Sequence, residues 1–372
     1  MNKDKFSALQ LGSMLTFCII SPILGISSYN VIKLAEVDLI PAIIIGFLIG
    51  IIPLLMYFYI NNYKKELAIH ELTIKIFGKP IGIIVNTLLL IFASIIASTF
   101  MFDLVTFITT QFLSETPFLL IGILFSLVVI YAIHKGIETI SRVSLILITI
   151  NAILFLIAVF GLFQSAQLDN LKPYLEYGLT RPFKGGIHVL LINIVPLFLL
   201  TMISKNEITD QKKIKKNIIL AYLFSFIICF GVGFFTMSVL GINLAKIFQY
   251  PEYIVLKKVN LFEFLDRIEN LVSMQWMFGL FMIITISSYF IFKMIRKDDN
   301  KKKTNIFITS IIVLAILFVP LYFFKSHTMF NNFTYNILPI INLVTLGIFV
   351  LITITIFIRK ILKIDEKEKI KS

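Results

Sequence analysis

Long apolar runs alternate with short polar clusters along the whole 372-residue chain. Ten of these runs reach roughly 20 mostly apolar residues, the length at which an α-helix crosses the ~30 Å hydrocarbon core of a bilayer. The pattern predicts an all-α integral membrane protein of about ten transmembrane helices, forming a single transmembrane domain over residues 1–372. The predicted spans, numbered one to ten, are Ala8–Ile32, Leu39–Ile60, Ile81–Phe112, Pro117–His134, Val143–Gln164, Gly185–Ser204, Asn217–Gly241, Asn270–Phe292, Asn305–Phe324 and Tyr335–Ile358.

The composition agrees with a lipid environment. Hydrophobic residues make up 58% of the chain and charged residues 15%, whereas soluble proteins carry about 25% charged residues. The net charge of +13 could indicate a nucleic-acid partner, but the basic residues lie in gaps between apolar runs and not on a polar domain. We therefore assign this charge to the membrane surface and expect no nucleic-acid binding.

Lysine and arginine are distributed unevenly between the two sets of loops. Of 34 such residues, 25 fall in the termini and in the loops after helices two, four, six and eight. Positive loops are retained on the cytoplasmic side, so we expect both termini to be cytoplasmic. The first apolar run is long and no small-residue cleavage site follows it, which favours a retained helix over a signal peptide.

Enzymatic and metal-binding chemistry has few candidate residues in this sequence. Cys18 and Cys229 lie inside apolar runs and show no metal-ligand or redox spacing. His70 is followed by Glu71, but the pair is not part of a zinc-binding HExxH pattern. The sequence therefore predicts no catalytic site, no metal and no cofactor.

Two of the predicted helices contain residues that interrupt a helix. In helix one, Pro22 and Gly25 stand three positions apart among serines. In helix six, Asn193 is followed by Pro196. Proline lacks an N–H group, so a continuous helix is disfavoured at both places. Breaks in the first member of each group of five helices predict a five-plus-five inverted repeat, although membrane helices also carry prolines that only produce kinks.

Such breaks have a direct use in ligand binding. The N–H groups of a broken helix can bind a carboxylate, and its free carbonyls can bind an ammonium group or an ion. An α-amino acid needs both kinds of partner. We therefore expect a small amino-acid-like solute to bind near the bilayer midplane.

A few polar groups lie within the apolar runs. Asp103 in the outer part of helix three could bind a ligand amine or relay a proton, or it could line an outer vestibule. The hydroxyls of Ser287 and Ser288 in helix eight could coordinate an ion, or they could bond to carbonyls of their own helix. We retain Asp103 and Ser288 as a possible ion or proton site.

The outer loops Ser165–Lys184 and Ile242–Glu269 are long enough to carry structure. Within Asn260–Asn270, apolar residues repeat at helical spacing, while Glu263 and Arg267 lie four apart on the other face. This pattern predicts an interfacial helix, and a solvated helix with a structural role is the alternative.

Three sequence segments carry a resemblance to a known family. They are FLDRIE at residues 264–269 followed by Trp276, GIETISR at residues 136–142, and NLKP at residues 170–173. Together and in this order, they resemble the B subunits of bacterial spore germinant receptors, which are related to amino acid–polyamine–organocation transporters. The resemblance covers nearly the whole chain.

This resemblance implies a LeuT-like, ten-helix inverted-repeat fold that senses a nutrient germinant, commonly an amino acid. It also implies a complex with an A subunit and a lipoprotein C subunit in the spore inner membrane. Carried over by position, the ligand-binding residues would be Ser21, Pro22, Ile23, Leu24, Gly25, Phe92, Ile96, Phe100, Ile194, Val195, Pro196, Ile283 and Ser287.

The helix-one break departs from the family in one respect. Family members often have a glycine-rich stretch where this chain has Ser21, Pro22 and Ile23, which leaves less room for a ligand against the backbone. The leading interpretation is a receptor subunit that senses an amino acid and signals to partner subunits. A proton- or sodium-coupled amino acid permease and a structural subunit without a live ligand site are the alternatives.

Overall fold

The computed structural model describes residues 5–23, 25–258, 268–295 and 306–363. Helices account for most of these residues, and no strand is formed among them apart from an isolated bridge between Phe6 and Ile208. The α-helices in the described ranges are α1 (Ala8–Ile20), α2 (Ser27–Ala35), α3 (Leu39–Tyr63), α4 (Ile69–Phe77), α5 (Lys79–Gln111), α6 (Phe118–Lys135), α7 (Ile137–Leu162), α8 (Thr180–Val189), α9 (Ile214–Ala245), α10 (Pro251–Leu256), α11 (Ile268–Ile295), α12 (Ile306–Phe323), α13 (His327–Asn332) and α14 (Leu338–Ile361).

The helices fit a membrane-spanning protein. Within the described residues, nine helical stretches are long and apolar enough to cross a membrane, and the stretch Ala8–Ile23 is a shorter apolar helix. Helix one corresponds to α1 and α2, helix two to α3, helix three to α5, helix six to α8 and the turns after it, helix eight to α11, and helix ten to α14. The predicted all-α multi-pass architecture of about ten helices is confirmed, whereas the inverted repeat stays a prediction.

Several helices extend beyond their apolar runs. Helix five begins at Ile137 and not at Val143, because Glu138 and Arg142 form an ion pair one turn apart within α7. Helix seven continues to Ala245 through a kink at Gly241. Polar residues of this kind are compatible with a helix once it leaves the hydrocarbon core, so apolar length underestimates helix length.

Three shorter helices were not predicted from the apolar runs. They are α4, α10 and α13, of nine, six and six residues. The interfacial helix predicted for Asn260–Asn270 falls largely on residues outside the described ranges, and α11 begins at Ile268.

Both predicted helix breaks are confirmed. In helix one, α1 gives way to a 3₁₀ turn at Ser21–Ile23, and α2 begins at Ser27. Between them, Gly25 has a positive φ of 64°, which L-residues with a side chain rarely adopt. Leu24 lies outside the described residues.

The break in helix six is longer than the sequence pattern indicated. After α8, the chain forms a π turn at Leu190–Ile194 and then a 3₁₀ segment at Val195–Met202. Pro196 cannot donate to the preceding turn, which explains why the α-helical ladder does not resume there.

Helices α3 and α8 pack with their backbones in close approach. A Cβ atom at Gly46 would lie 2.7 Å from the Cβ atom of Val189 and 2.8 Å from the carbonyl oxygen of Gly186. Small residues at an interface let membrane helices approach in this way. The first half of helix six is thereby held against helix two.

Candidate functional site

The breaks of helices one and six meet each other inside the protein. The 3₁₀ turn of helix one contacts both the π turn of helix six and α11. Asn193 joins the two breaks, because its Nδ2 donates to the carbonyl oxygen of Ile19 at 2.9 Å and its Oδ1 accepts from the Ser27 hydroxyl at 2.5 Å. One amide side chain thus binds groups on both sides of the helix-one break.

The π turn of helix six is also tied to helix ten. The Nδ2 atom of Asn342 on α14 donates to the carbonyl oxygen of Leu191 at 3.0 Å. A π turn displaces carbonyls from their regular helical partners, so a side-chain donor stabilises it. This contact spans 151 residues of sequence and could not be predicted from local patterns.

A small cavity lies between the two breaks. Its volume is about 20 Å³, which is room for about one water molecule. Its polar lining consists of Ser27, Ser28 and Asn193, and the native Cys229 on α9 also faces it. Of the predicted ligand-binding residues in the described ranges, Ile23 alone lines this cavity. An amino acid therefore does not fit here unless the site opens.

The other predicted residues lie in the helix interfaces around the cavity. The Ser21 hydroxyl is 2.6 Å from the carbonyl oxygen of Gly279 on α11. The side chains of Ser287 and Ser288 donate to carbonyls of their own helix, both at 2.7 Å. Their oxygen lone pairs stay available, so the possible ion or proton site at Ser288 and Asp103 stays a prediction. Pro22 is buried in the 3₁₀ turn of helix one. The remaining predicted residues are buried on α5, helix six and α11, namely Phe92, Ile96, Phe100, Ile194, Val195, Pro196 and Ile283.

The polar groups of Gly25 in the helix-one break are bound by the segment that precedes and begins α10. The N–H of Gly25 donates to Oε1 of Glu252 at 2.6 Å. The carbonyl oxygen of Gly25 accepts from Nε2 of Gln249 at 3.1 Å. The groups that were expected to face a ligand are therefore engaged by two side chains of this chain.

Tyr250 also covers the break in helix one. Its hydroxyl donates to Oδ1 of Asp103 at 3.3 Å, and its ring packs edge-on against Phe107 at a centroid distance of 5.0 Å. A Cβ atom at Gly25 would lie 2.3 Å from the tyrosine ring and 3.1 Å from Oδ1 of Asp103. Gly25, Tyr250 and Asp103 thus form one tight contact.

Two carboxyl groups are buried beside this contact. Asp103 has 0% and Glu252 has 2% of its surface exposed, so Asp103 does not line an open vestibule in this conformation. Oδ2 of Asp103 and Oε2 of Glu252 have no hydrogen-bond partner in the described structure. Burial raises the pKa of Glu252 to about 8, and hydrogen bonds from the backbone of Gly25 and from Ser28 act in the opposite direction.

The raised pKa of Glu252 predicts a pH dependence of stability. Between the usual glutamate pKa of about 4.3 and a value near 8, the folded protein keeps a proton that the unfolded chain releases. Stability should therefore fall as pH rises through this window. We expect the melting temperature of the purified protein to fall by about 2–4 °C more than that of Glu252→Gln between pH 5 and pH 8.

The neighbouring carboxyl supplies the control for this measurement. The variant Asp103→Asn keeps Glu252, so its melting temperature should still show the excess fall between pH 5 and pH 8. Equal pH profiles for the wild type and Glu252→Gln would contradict the assignment of this titration to Glu252.

Sequence reasoning missed Gln249, Tyr250 and Glu252. They lie in the predicted outer loop Ile242–Glu269, where the sequence pattern indicates a helix only in the second part. A local signal does exist, because Pro251 stands at the first turn of a helix and Glu252 precedes the apolar residues of α10.

The chain is similar to spore germination proteins over most of its length. The model of a family described as spore germination protein matches residues 12–329, which include both breaks and α10. Spore germination protein XB of Bacillus anthracis is 23% identical over 292 residues, which cover 77% of this chain and 81% of that protein. Spore germination protein KB of Bacillus subtilis (strain 168) is 24% identical over 251 residues, 67% of each chain. The putative spore germination protein YfkT of the same strain is 28% identical over 172 residues, 46% of each chain.

Proposed function

Because the chain belongs to the spore germination protein family, we propose that it is a germinant receptor B subunit that senses a small nutrient, foremost an amino acid. It is a germination-related, permease-like membrane protein. The nutrient would bind between the breaks of helices one and six. The chain would then signal to an A subunit and a lipoprotein C subunit in the spore inner membrane.

The observation that carries this proposal is that the two broken helices meet, and that Gly25 in the first break has its polar groups outside any helix. Both polar groups of this residue point away from helical partners and are bound by side chains of another segment. An amino acid offers a carboxylate for the N–H and an ammonium group for the carbonyl oxygen. The chemistry at the break therefore matches both ends of such a ligand.

Because the cavity between the breaks is small, the proposed mechanism includes an opening step. With room for about one water molecule, the site would have to open before an amino acid could bind. A ligand that binds the open conformation more tightly than the closed one would shift the population toward the open conformation. The size of this shift is set by the difference between the two affinities. A receptor can pass on such a shift to partner subunits without transport.

A ligand screen on the purified protein tests this proposal. We expect one amino acid, or a few, to raise the melting temperature in a concentration-dependent manner, because a ligand that binds only the folded state stabilises it by about 2.7 kcal/mol at 100 times its Kd. The D-enantiomer of each active compound is the control for a specific site. A screen of all amino acids without a shift would contradict the proposal and favour a structural subunit.

Uptake measurements separate a receptor from a permease. The isolated chain, reconstituted into vesicles, should bind the stabilising amino acid without accumulating it inside. Accumulation driven by a proton or sodium gradient would favour the permease, and a response that requires partner subunits would favour the receptor.

A further inference from the structure

The carboxyl group of Glu252 occupies the position in which a broken helix would bind the carboxylate of a ligand. Its Oε1 accepts the Gly25 N–H at 2.6 Å. Backbone N–H groups at a helix interruption are binding positions for carboxylates. At a distance of 2.6 Å, this hydrogen bond leaves no space for a second acceptor on the same N–H.

The rest of this segment closes the same place. Gln249 binds the carbonyl oxygen of Gly25 and is itself held by Asn331 at 2.6 Å. The ring of Tyr250 lies against Gly25 so closely that no Cβ atom could be added there. The segment from Gln249 to Glu252 thus covers both polar groups and the open face of the glycine.

The covered position adjoins the cavity between the breaks. Ser28 lines that cavity, and Val232 lines both it and a second small cavity that Glu252 faces. Truncation of Glu252 should therefore enlarge the space between Gly25 and these two cavities. The second oxygen of Glu252 has no partner, so the carboxyl group is less completely satisfied than a purely structural one would be.

We propose that Glu252 is an internal occupant of the carboxylate position at Gly25, and that a carboxylate-bearing ligand binds only by displacing it together with Tyr250. This inference rests on the proposed function and adds a residue that competes with the ligand. Ligands with a free carboxylate would be favoured, since they replace the lost hydrogen bond. Esters and amides of the same compounds would displace Glu252 poorly.

The native cysteines provide a test that needs no identified ligand. The chain has two cysteines, and Cys229 lines the cavity while Cys18 is buried elsewhere in the core. In a Cys18→Ala background, the rate at which a charged methanethiosulfonate reagent modifies Cys229 reports how often the cavity opens to water. We expect slow modification when Glu252 is present.

The variant Glu252→Ala should accelerate this modification by about 10-fold to 100-fold, the effect of leaving the buried N–H of Gly25 without its acceptor. Acetate supplies the CH₂–COO⁻ atoms that alanine lacks, and it should slow the modification of Glu252→Ala again. Acetamide, which is neutral and of similar size, should not. The matched control is Glu176→Ala, which removes an exposed carboxylate and should leave the rate unchanged.

A milder variant covers the possibility that Glu252→Ala does not fold. Glu252→Gln keeps the size of the side chain and an acceptor oxygen, so it should accelerate the modification less and show no response to acetate. An unchanged rate in both variants, or identical effects of acetate and acetamide, would overturn the inference.

The inference and the proposed function fail in different ways. If acetate protects Glu252→Ala but no amino acid stabilises the wild type, the amino-acid receptor function is wrong and the role of Glu252 stands. If an amino acid stabilises the wild type and Glu252→Ala changes neither its affinity nor the modification of Cys229, the receptor function stands and the displacement of Glu252 is wrong.

Discussion

The variant Gly25→Ala should be strongly destabilised and should lose its ligand response while it still inserts into the membrane. The left-handed backbone at this position costs an L-residue about 1–2 kcal/mol. The added methyl group would lie 2.3 Å from the ring of Tyr250, and overpacking of this kind costs about 1–3 kcal/mol. We therefore expect a total loss of about 2–5 kcal/mol, measured as a fall in melting temperature at normal protein level.

Gly178→Ala is a matched control for the backbone contribution. Gly178 also has a positive φ, of 66°, but nothing lies within 4 Å of an added Cβ atom. This variant should lose only about 1–2 kcal/mol and should keep its ligand response. Equal losses in the two variants would show that the contact between Gly25 and Tyr250 does not contribute to stability.

The substitution Asn193→Ala should remove the hydrogen bonds that join the two helix breaks. Hydrogen bonds between membrane helices contribute about 0.6 kcal/mol on average and up to about 1.7 kcal/mol. Asn193 makes two of them, to Ile19 and Ser27, and its truncation also leaves a buried gap. We expect a loss of about 2–4 kcal/mol in thermal unfolding, together with a weaker response to any amino acid that stabilises the wild type.

A double-mutant cycle distinguishes this hydrogen bond from a general packing defect. Ser27→Ala and Asn193→Ala should be less than additive, with a coupling of about 0.5–2 kcal/mol. The exposed Asn336→Ala should cost almost nothing. Strict additivity of the first two substitutions would indicate that the bridge across the breaks is energetically unimportant.

The helix breaks could be predicted because their cause is local. Pro22 and Pro196 lack an N–H wherever they stand, and the consequence is confined to the neighbouring turn. The same holds for the apolar runs, since each transmembrane helix must bury its own backbone polar groups. Helix ends were predicted less accurately, because ion pairs such as that of Glu138 and Arg142 continue a helix beyond its apolar part.

The occupant of the break could not be predicted, because its contacts are remote in sequence. Glu252 binds Gly25 across 227 residues, and a six-residue helix such as α10 lies below the length at which periodicity is informative. For Ser287 the sequence allowed either a hydrogen bond within its own helix or a contact with an ion. The structure shows the first, a bond of 2.7 Å to the Ile283 carbonyl oxygen, which a local pattern could not single out.

The close approach of α3 and α8 has a mechanical consequence for any opening of the break. Gly46 and Gly186 let the side chains of Val189 and Ile45 pack directly against the opposite backbone, so the two helices cannot slide past each other without a clash. Helix two and the first half of helix six should therefore move together as one rigid body. If the break opens, we expect the chain to bend in the π turn after α8, where it can do so without separating these two helices.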